Sequence, residues 1–233
     1  SQAAKLPKVL DNLLKEYAGT TYRYDERGNL IERVRFGQRS EFEWDAFNRM
    51  TKATTPEGTT SFAYDPLGRR IAKRSERANP HGGEPLCDEV LFGWEGDTIA
   101  FECRQSRGPH AQAAQTVHYI HEPGGFVPLL QARRSEAVHL PPTTDVKALA
   151  EFNGGKYEAE LDPLWNGAID DHEVQPFSKD EIAYYQCDHL GTPQELTDHD
   201  GKIAWAAQYK AWGQAKEVIS EAARKAGIAN PIR

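Results

Sequence analysis

Tyr22-Arg23-Tyr24-Asp25-Glu26-Arg27-Gly28, Phe42-Glu43-Trp44-Asp45-Ala46-Phe47-Asn48 and Phe62-Ala63-Tyr64-Asp65-Pro66-Leu67-Gly68 are three copies of one pattern, set twenty residues apart. A fixed period in this range marks a repeat architecture, in which no unit buries its faces alone. The unit reads aromatic, any residue, aromatic, Asp, two further residues, then Gly or Asn. It is a strand running into a turn. The aromatics at i and i+2 share one face of the strand. Asp suits the first position of a type I turn and Gly the fourth. Asn48 fills the glycine slot once, and Asn tolerates a left-handed backbone best after Gly. Pro66 takes the second turn position, where its fixed φ is already correct. Gly28, Asn48 and Gly68 are therefore expected to share one positive-φ conformation.

Each period holds a second turn. Thr55-Pro56-Glu57-Gly58 again places Pro second and Gly fourth, and Arg35-Phe36-Gly37-Gln38 is its weaker counterpart. The chain thus reverses about every ten residues. Strands are expected near 30–35, 40–44, 50–54, 60–64 and 69–74, a β-meander of hairpins.

The chain has 233 residues, with 39% hydrophobic, 27% charged and 10% aromatic residues. That is polar for a compact sandwich, while the aromatics and the repeat argue against disorder. A wide sheet wetted on both sides fits better. The net charge of −7 gives no general attraction to nucleic acid. Arg69, Arg70, Lys73, Arg74 and Arg77 form a basic run, which reads as a solvated strand face. Cys87, Cys103 and Cys187 are an odd count with no CxxC pair, so they read as free thiols. No apolar run approaches membrane-spanning length and no signal peptide is visible. The chain starts at Ser1 without Met, which is expected of a processed product or a fragment.

Five segments follow. Residues 1–19 are expected to be a helix, from the spacing of Leu6, Val9, Leu10, Leu13, Leu14 and Tyr17 and a stop at Gly19. Residues 20–138 form the repeat sheet, with a loop at 78–90, strands at 90–103 and 116–131, and a polar loop at 104–115. Residues 139–182, rich in Pro, Gly and acids, are an irregular insertion, with a helical turn or two from Asp145 to Glu151. Residues 183–213 return to hairpins, turning at Asp188–Gly191 and Asp198–Gly201. Residues 214–233 are expected to be a C-terminal amphipathic helix and tail, from Ala215, Val218, Ile219, Ala222, Ala223 and Ala226. The fold class is mainly β, with short helices at both ends.

Candidate chemistry is sparse. Asp170-Asp171-His172, and His189 with Asp198-His199-Asp200, have the side chains for metal or acid–base work. Asp188 and Asp198 also read as turn openers whose carboxylates accept backbone N–H groups. His118 and His121 flank a strand end without a third partner. Cys187 precedes Asp188 and His189, but strand alternation turns it away from His189. No glycine-rich phosphate loop precedes a helix. The expectation is no catalytic residue, no cofactor site and no metal site. Tyr22, Tyr24, Phe42, Trp44, Phe62 and Tyr64 fall in register on successive hairpins. They read as a structural stack, with a sugar-binding ladder as the alternative.

The Tyr-Asp-x-x-Gly unit with a strand on each side resembles the YD repeats of the Rhs proteins, also found in teneurins and insecticidal toxin complexes. The resemblance extends to Leu91-Phe92-Gly93-Trp94-Glu95-Gly96-Asp97, to Tyr119-Ile120-His121-Glu122-Pro123-Gly124-Gly125-Phe126-Val127-Pro128-Leu129, and to Tyr185-Gln186-Cys187-Asp188-His189-Leu190-Gly191-Thr192-Pro193 through Trp212-Gly213. It covers residues 20–213, with a poor match at 139–182. The resemblance implies a sheet wound into a hollow shell around a C-terminal toxin, delivered in interbacterial competition by a contact-dependent system, type VI secretion. It implies synthesis in the bacterial cytoplasm followed by secretion. The implied partners are the remaining Rhs shell sequence, the enclosed toxin, and a secretion spike or adaptor, with no nucleic acid and no membrane insertion by this segment. The family's shell ends in a self-cleaving aspartyl-protease segment with a DPxGxxxGxN-like motif, of which no copy is present, so no catalytic residue carries over. Two other readings compete with the shell segment: a carbohydrate-binding or adhesion module using the aromatics, and a hydrolase built on the Asp and His residues of 162–200. The terminal strand edges are expected to pair with further sequence or another copy.

Overall fold

Three properties of the sequence set the architecture: alternating residues, a chain reversal every ten residues, and too few aliphatics for two packed layers. The computed structural model describes residues 13–108, 111–138, 140, 145–162, 175–209 and 215–219. Among them, fifteen strands form one antiparallel sheet whose spatial order is the order of the chain. The first seven are β1 (Glu16–Tyr17), β2 (Thr20–Tyr24), β3 (Leu30–Arg35), β4 (Gln38–Trp44), β5 (Met50–Thr55), β6 (Gly58–Tyr64) and β7 (Arg70–Arg77). Then come β8 (Leu86–Glu95), β9 (Thr98–Arg107), β10 (Gln115–His121) and β11 (Pro128–Arg134). After an excursion containing the helix α1 (Val146–Phe152), the sheet resumes with β12 (Ile182–Cys187), β13 (Pro193–Thr197), β14 (Ile203–Tyr209) and β15 (Ala215–Ile219).

The expected repeat strands appear within a few residues of their predicted bounds. Three expectations need correction. The helix over residues 1–19 does not reach Gly19: Glu16 and Tyr17 pair with Thr21 and Thr20. Ala18 and Gly19 both have positive φ, +48° and +74°, the geometry of a tight two-residue hairpin. Residues 1–12 lie outside the described residues. The expected C-terminal helix does not begin at Ala215, because Ala215–Ile219 pairs with β14 from Tyr209 to Trp205. The open edge of β14 supplies a ladder of hydrogen bonds that a short helix would forgo. Residues 220–233 lie outside the described residues. The loops expected over 78–90 and 104–115 are both shorter, since β8 begins at Leu86 and β9 runs on to Arg107, which pairs with Cys87.

Pairing sorts the side chains onto two faces. Tyr22, Phe42 and Phe62 share one face with Val117, Tyr119, Ala183, Tyr185, Leu196 and Trp205 through directly opposed pairs and two-residue alternation. The last six belong to the buried core cluster, in which Leu196 and Trp205 are fully buried. The opposite face of β2–β7 is charged. Arg39 bridges Glu32 at 2.5 Å and Glu41 at 2.8 Å, and Lys52 meets Glu43 at 3.1 Å. Such exposed pairs add little stability and serve mainly to keep a wet face soluble.

The excursion between β11 and β12 folds back on this charged face. The Val138 N–H donates to Cys103 Sγ, and Thr116 Oγ1 donates to the Glu136 carbonyl. Phe177 sits between His118, with ring centroids 5.4 Å apart, and the Arg134 guanidinium, 4.1 Å from its ring centre. Cys103 and Thr116 are buried there. Asp145 caps α1 by accepting from the N–H groups of Lys147 and Ala148, and the helix buries no residue.

Candidate functional site

The repeated feature of the chain is an aspartate turn, and its hydrogen bonds recur position by position. The N–H of Asp25, Asp45 and Asp65 donates to the carbonyl four residues on, at Asn29, Arg49 and Arg69. The N–H three residues on, at Gly28, Asn48 and Gly68, donates back to the aspartate carbonyl. Those three residues have φ of +85°, +60° and +86°, so they share the expected turn conformation. Oδ1 of Asp45 accepts from the N–H groups of Phe47 and Arg49, and Oδ1 of Asp25 from Arg27 and Asn29. Asp188 and Asp198 repeat the pattern, accepting from Leu190 and Thr192 and from Asp200 and Lys202. A β-bulge lies immediately before each of these turns, as between Arg23 and Tyr24, Glu43 and Trp44, and Ala63 and Tyr64.

In a meander every second turn lies at the same edge. The turns at Asp25, Asp45, Asp65, Glu95, Glu122 and Asp188 therefore form one row. Two ladders stitch this row together. In the first, the residue before each turn donates across to the preceding repeat. Trp44 Nε1 donates to the Leu30 carbonyl at 2.8 Å, Tyr64 Oη to Met50 at 2.9 Å and Trp94 Nε1 to Arg70 at 3.0 Å. Cys187 Sγ takes the same place, 3.7 Å from the Pro128 carbonyl. In the second ladder, the residue four after each aspartate reaches forward. Asn29 Nδ2 bonds Asp25 and Asn48; Arg49 binds Asp45 at 2.6 Å and the Asp65 carbonyl at 3.1 Å; Arg69 binds Asp65 at 2.7 Å and the Gly96 carbonyl. The Arg49 guanidinium also lies 5.0 Å from the Tyr64 ring centre. At the C-terminal end of the row, Gly191 passes close to Val127, where an added Cβ would sit 2.8 Å from a methyl carbon.

These contacts depress the turn carboxylates. For Asp25 the Asn29 amide is the leading cause. For Asp45 and Asp65 partial desolvation opposes the shift, and hydrogen bonds from the backbone and from Arg49 or Arg69 outweigh it. For Asp188 and Asp198 the N–H groups of Thr192 and Lys202 lead. Desolvation raises the Cys187 thiol, with Asp188 and Glu122 adding to the effect. Cys187 is therefore held as a hydrogen-bond donor, the opposite of an activated nucleophile.

The candidate His–Asp constellation is not assembled. The Asp188 and Asp198 turns lie at opposite ends of β13, about 17 Å apart for a five-residue strand. His189 is exposed at one end. His199 lies at the other, 3.4 Å from Asp180 and 3.3 Å from Asp200. Asp170, Asp171 and His172 lie outside the described residues. Among the described residues no group of three or more His, Cys, Asp and Glu side chains is placed to hold a metal, and no helix is long and apolar enough to cross a membrane. The aromatics are half-buried, and the polar tips of Trp44 and Tyr64 are occupied by backbone carbonyls. The forward-reaching residues at 29, 49 and 69 escaped the sequence reading, although their twenty-residue period was its available signal.

Residues 44–79 match the RHS Repeat family model and residues 182–219 the RHS protein model. Over 219 residues, 91% of this chain, the sequence is 32% identical to the Toxin protein Tse5 of Pseudomonas aeruginosa. The chain belongs to the Rhs/YD-repeat family. This Rhs chain is also 27% identical over 230 residues to the Double-stranded DNA deaminase toxin A of Burkholderia cenocepacia, covering 97% of its own length. It is 26% identical over 227 residues, 94% of its length, to the Probable deoxyribonuclease RhsA of Dickeya dadantii. It spans only 15%, 14% and 12% of those three relatives.

Two predictions follow from the stitched edge of the Rhs chain. Tyr64→Phe removes a donor with a partner and should cost about 1 kcal/mol in denaturant unfolding. Tyr119 is buried and its hydroxyl has no hydrogen-bond partner among the described residues, so Tyr119→Phe should be neutral or stabilising by about 1 kcal/mol. Equal losses would contradict the ladder. The second prediction concerns pH. Burial lowers His118 and His121, with the Arg134 charge adding at His118, so protons bind them more readily in the unfolded chain. Their share of stability is lost as pH falls below about 6.5. The depressed aspartates contribute above their unfolded value and lose that contribution as pH falls from about 4 through their folded values. In a titration of the unfolding midpoint, Asp45→Asn with Asp65→Asn should flatten the acid limb and leave the decline near pH 6 unchanged.

Proposed function

We propose that this chain is a stretch of shell wall that helps enclose a C-terminal toxin and carry it into competing bacteria. The carrying observation is the single-layer sheet in chain order, stitched along one edge turn by turn. Over the repeats this sheet has no second layer to close a core, burial being concentrated at its C-terminal end, and it gains stability from each added repeat. That is the physics of a wall that must be long and wet on both faces. Supporting the reading, two of the similar proteins are toxins by name, a third is a probable deoxyribonuclease, and all three are several times longer than this chain. The partners of the proposed wall are the remaining Rhs shell sequence, the enclosed toxin, and a secretion spike or adaptor of a type VI apparatus. Synthesis in the cytoplasm followed by secretion is part of the same proposal. The segment itself acts as structure and performs no catalysis.

The full reading frame containing this chain tests the proposal by limited proteolysis. The region C-terminal to the wall should resist cleavage, and Arg49→Ala with Arg69→Ala should speed its cleavage several-fold by loosening the stitched edge. Equal cleavage of that region in both proteins would refute enclosure.

A further inference from the structure

The two faces of β2–β7 differ in charge. On the charged face, Arg23, Arg39, Lys52 and Arg74 are matched by four glutamates. On the aromatic face the strand residues with charge are Arg33, Arg35, Arg70, Lys73 and Arg77, and none is acidic. All five are exposed. Arg77 is neutralised by Asp88 at 2.5 Å, and Arg70 lies over the rings of Phe62 and Phe92. Arg33 and Lys73 have no hydrogen bond or ion pair among the described residues.

These side chains line one continuous trough. Its first part holds Arg33, Arg35, Gln38 and Ser40, and shares Thr55 and Glu57 with the second. The second shares Lys73 with a third part that reaches Arg70 and Arg104. The carboxylates of Asp88 and Glu102 within it are engaged by Arg77 and Arg104. Glu76, also in the lining, is engaged by Arg74. Glu57 and Glu89 are the trough's carboxylates without an ion-pair partner among the described residues, against Arg33, Arg35 and Lys73. From β3 to β9 the trough crosses six strand spacings, about 29 Å, the length of about nine extended residues.

We infer that this trough binds an extended acidic polypeptide segment running across the strands. Unneutralised Arg and Lys supply attraction, and the Gln38 side-chain amide, which has no hydrogen bond among the described residues, can bond a peptide backbone. The Thr55 and Thr60 hydroxyls are already engaged by the Gly58 carbonyl and Ser75. A single-stranded nucleic acid would need open aromatic faces for its bases. Here Arg70 covers Phe62 and Phe92, so that second requirement is unmet. The inference goes beyond the wall reading and stands without it.

Fluorescence anisotropy with labelled decaglutamate, decalysine and a ten-residue oligothymidylate tests this on the intact chain at low salt. Decaglutamate should bind, weaken with added salt, and lose at least tenfold in affinity in Arg33→Ser with Lys73→Ser. Both positions are exposed and unpaired, and circular dichroism and the unfolding midpoint should match the parent chain. Arg23→Ser with Lys52→Ser, on the charged face, should leave binding within twofold. Absence of decaglutamate binding, equal loss in the charged-face variant, or tighter binding of the oligothymidylate would each overturn the proposal.

Discussion

A carboxylate that accepts two backbone N–H groups from the turn it opens is the interaction on which this sheet depends. Each aspartate replaces water at turn amides that the sheet ladder leaves unpaired, and it fixes where the chain reverses. The bulge immediately before it then sets the register of the next strand. Because the same device recurs at Asp25, Asp45 and Asp65, three hairpins of different sequence are superposable in hydrogen bonding. The free carboxylate oxygen does a second job. By holding Asn29, Arg49 or Arg69, it aims that side chain at the next turn.

The stitched edge also explains how a polar chain remains folded as a single layer. Burial is concentrated at the C-terminal end, where Tyr119, Tyr185, Leu196 and Trp205 pack together. The repeat region lacks such a cluster. There, the ring before each turn, at Tyr24, Trp44 and Tyr64, combines a modest apolar area with one directed hydrogen bond, a use suited to Tyr and Trp. Cys187 shows that the position asks for a donor facing a carbonyl, and that a ring is one way to supply it. Thermodynamically the repeats resemble a one-dimensional array, in which each unit is stabilised mainly by its neighbours.

Much of this was legible in the sequence because turns are local. Asp, Pro and Gly at fixed offsets have conformational causes within four residues, so the strands over 30–35 and 50–54 were placed nearly to the residue. Faces were harder. The basic run from Arg69 to Arg77 reads as one strand face, yet the bulged Ile71 breaks the alternation and puts Arg70 with Lys73, while Arg74 points to the other face. Ala215 to Ile219 carries a helical spacing of small and apolar residues, but a strand edge beside it decides the outcome, and edges are a tertiary fact. The candidate grouping of His189 with Asp198–Asp200 is not brought together for a related reason. Residues ten apart in a meander sit at opposite ends of a strand, whereas residues twenty apart are neighbours.

Native-state hydrogen exchange on Asp45→Ala is the most direct measurement of whether the turn row holds the sheet together. The substitution removes the acceptor for Phe47 and Arg49 and frees the Arg49 side chain that reaches Asp65. Coupling through the stitched edge predicts that protection falls in β4 and β5 and also in β6 and β7, one repeat away. Loss confined to the β4–β5 hairpin, with β6 and β7 exchanging as in the parent chain, would contradict it.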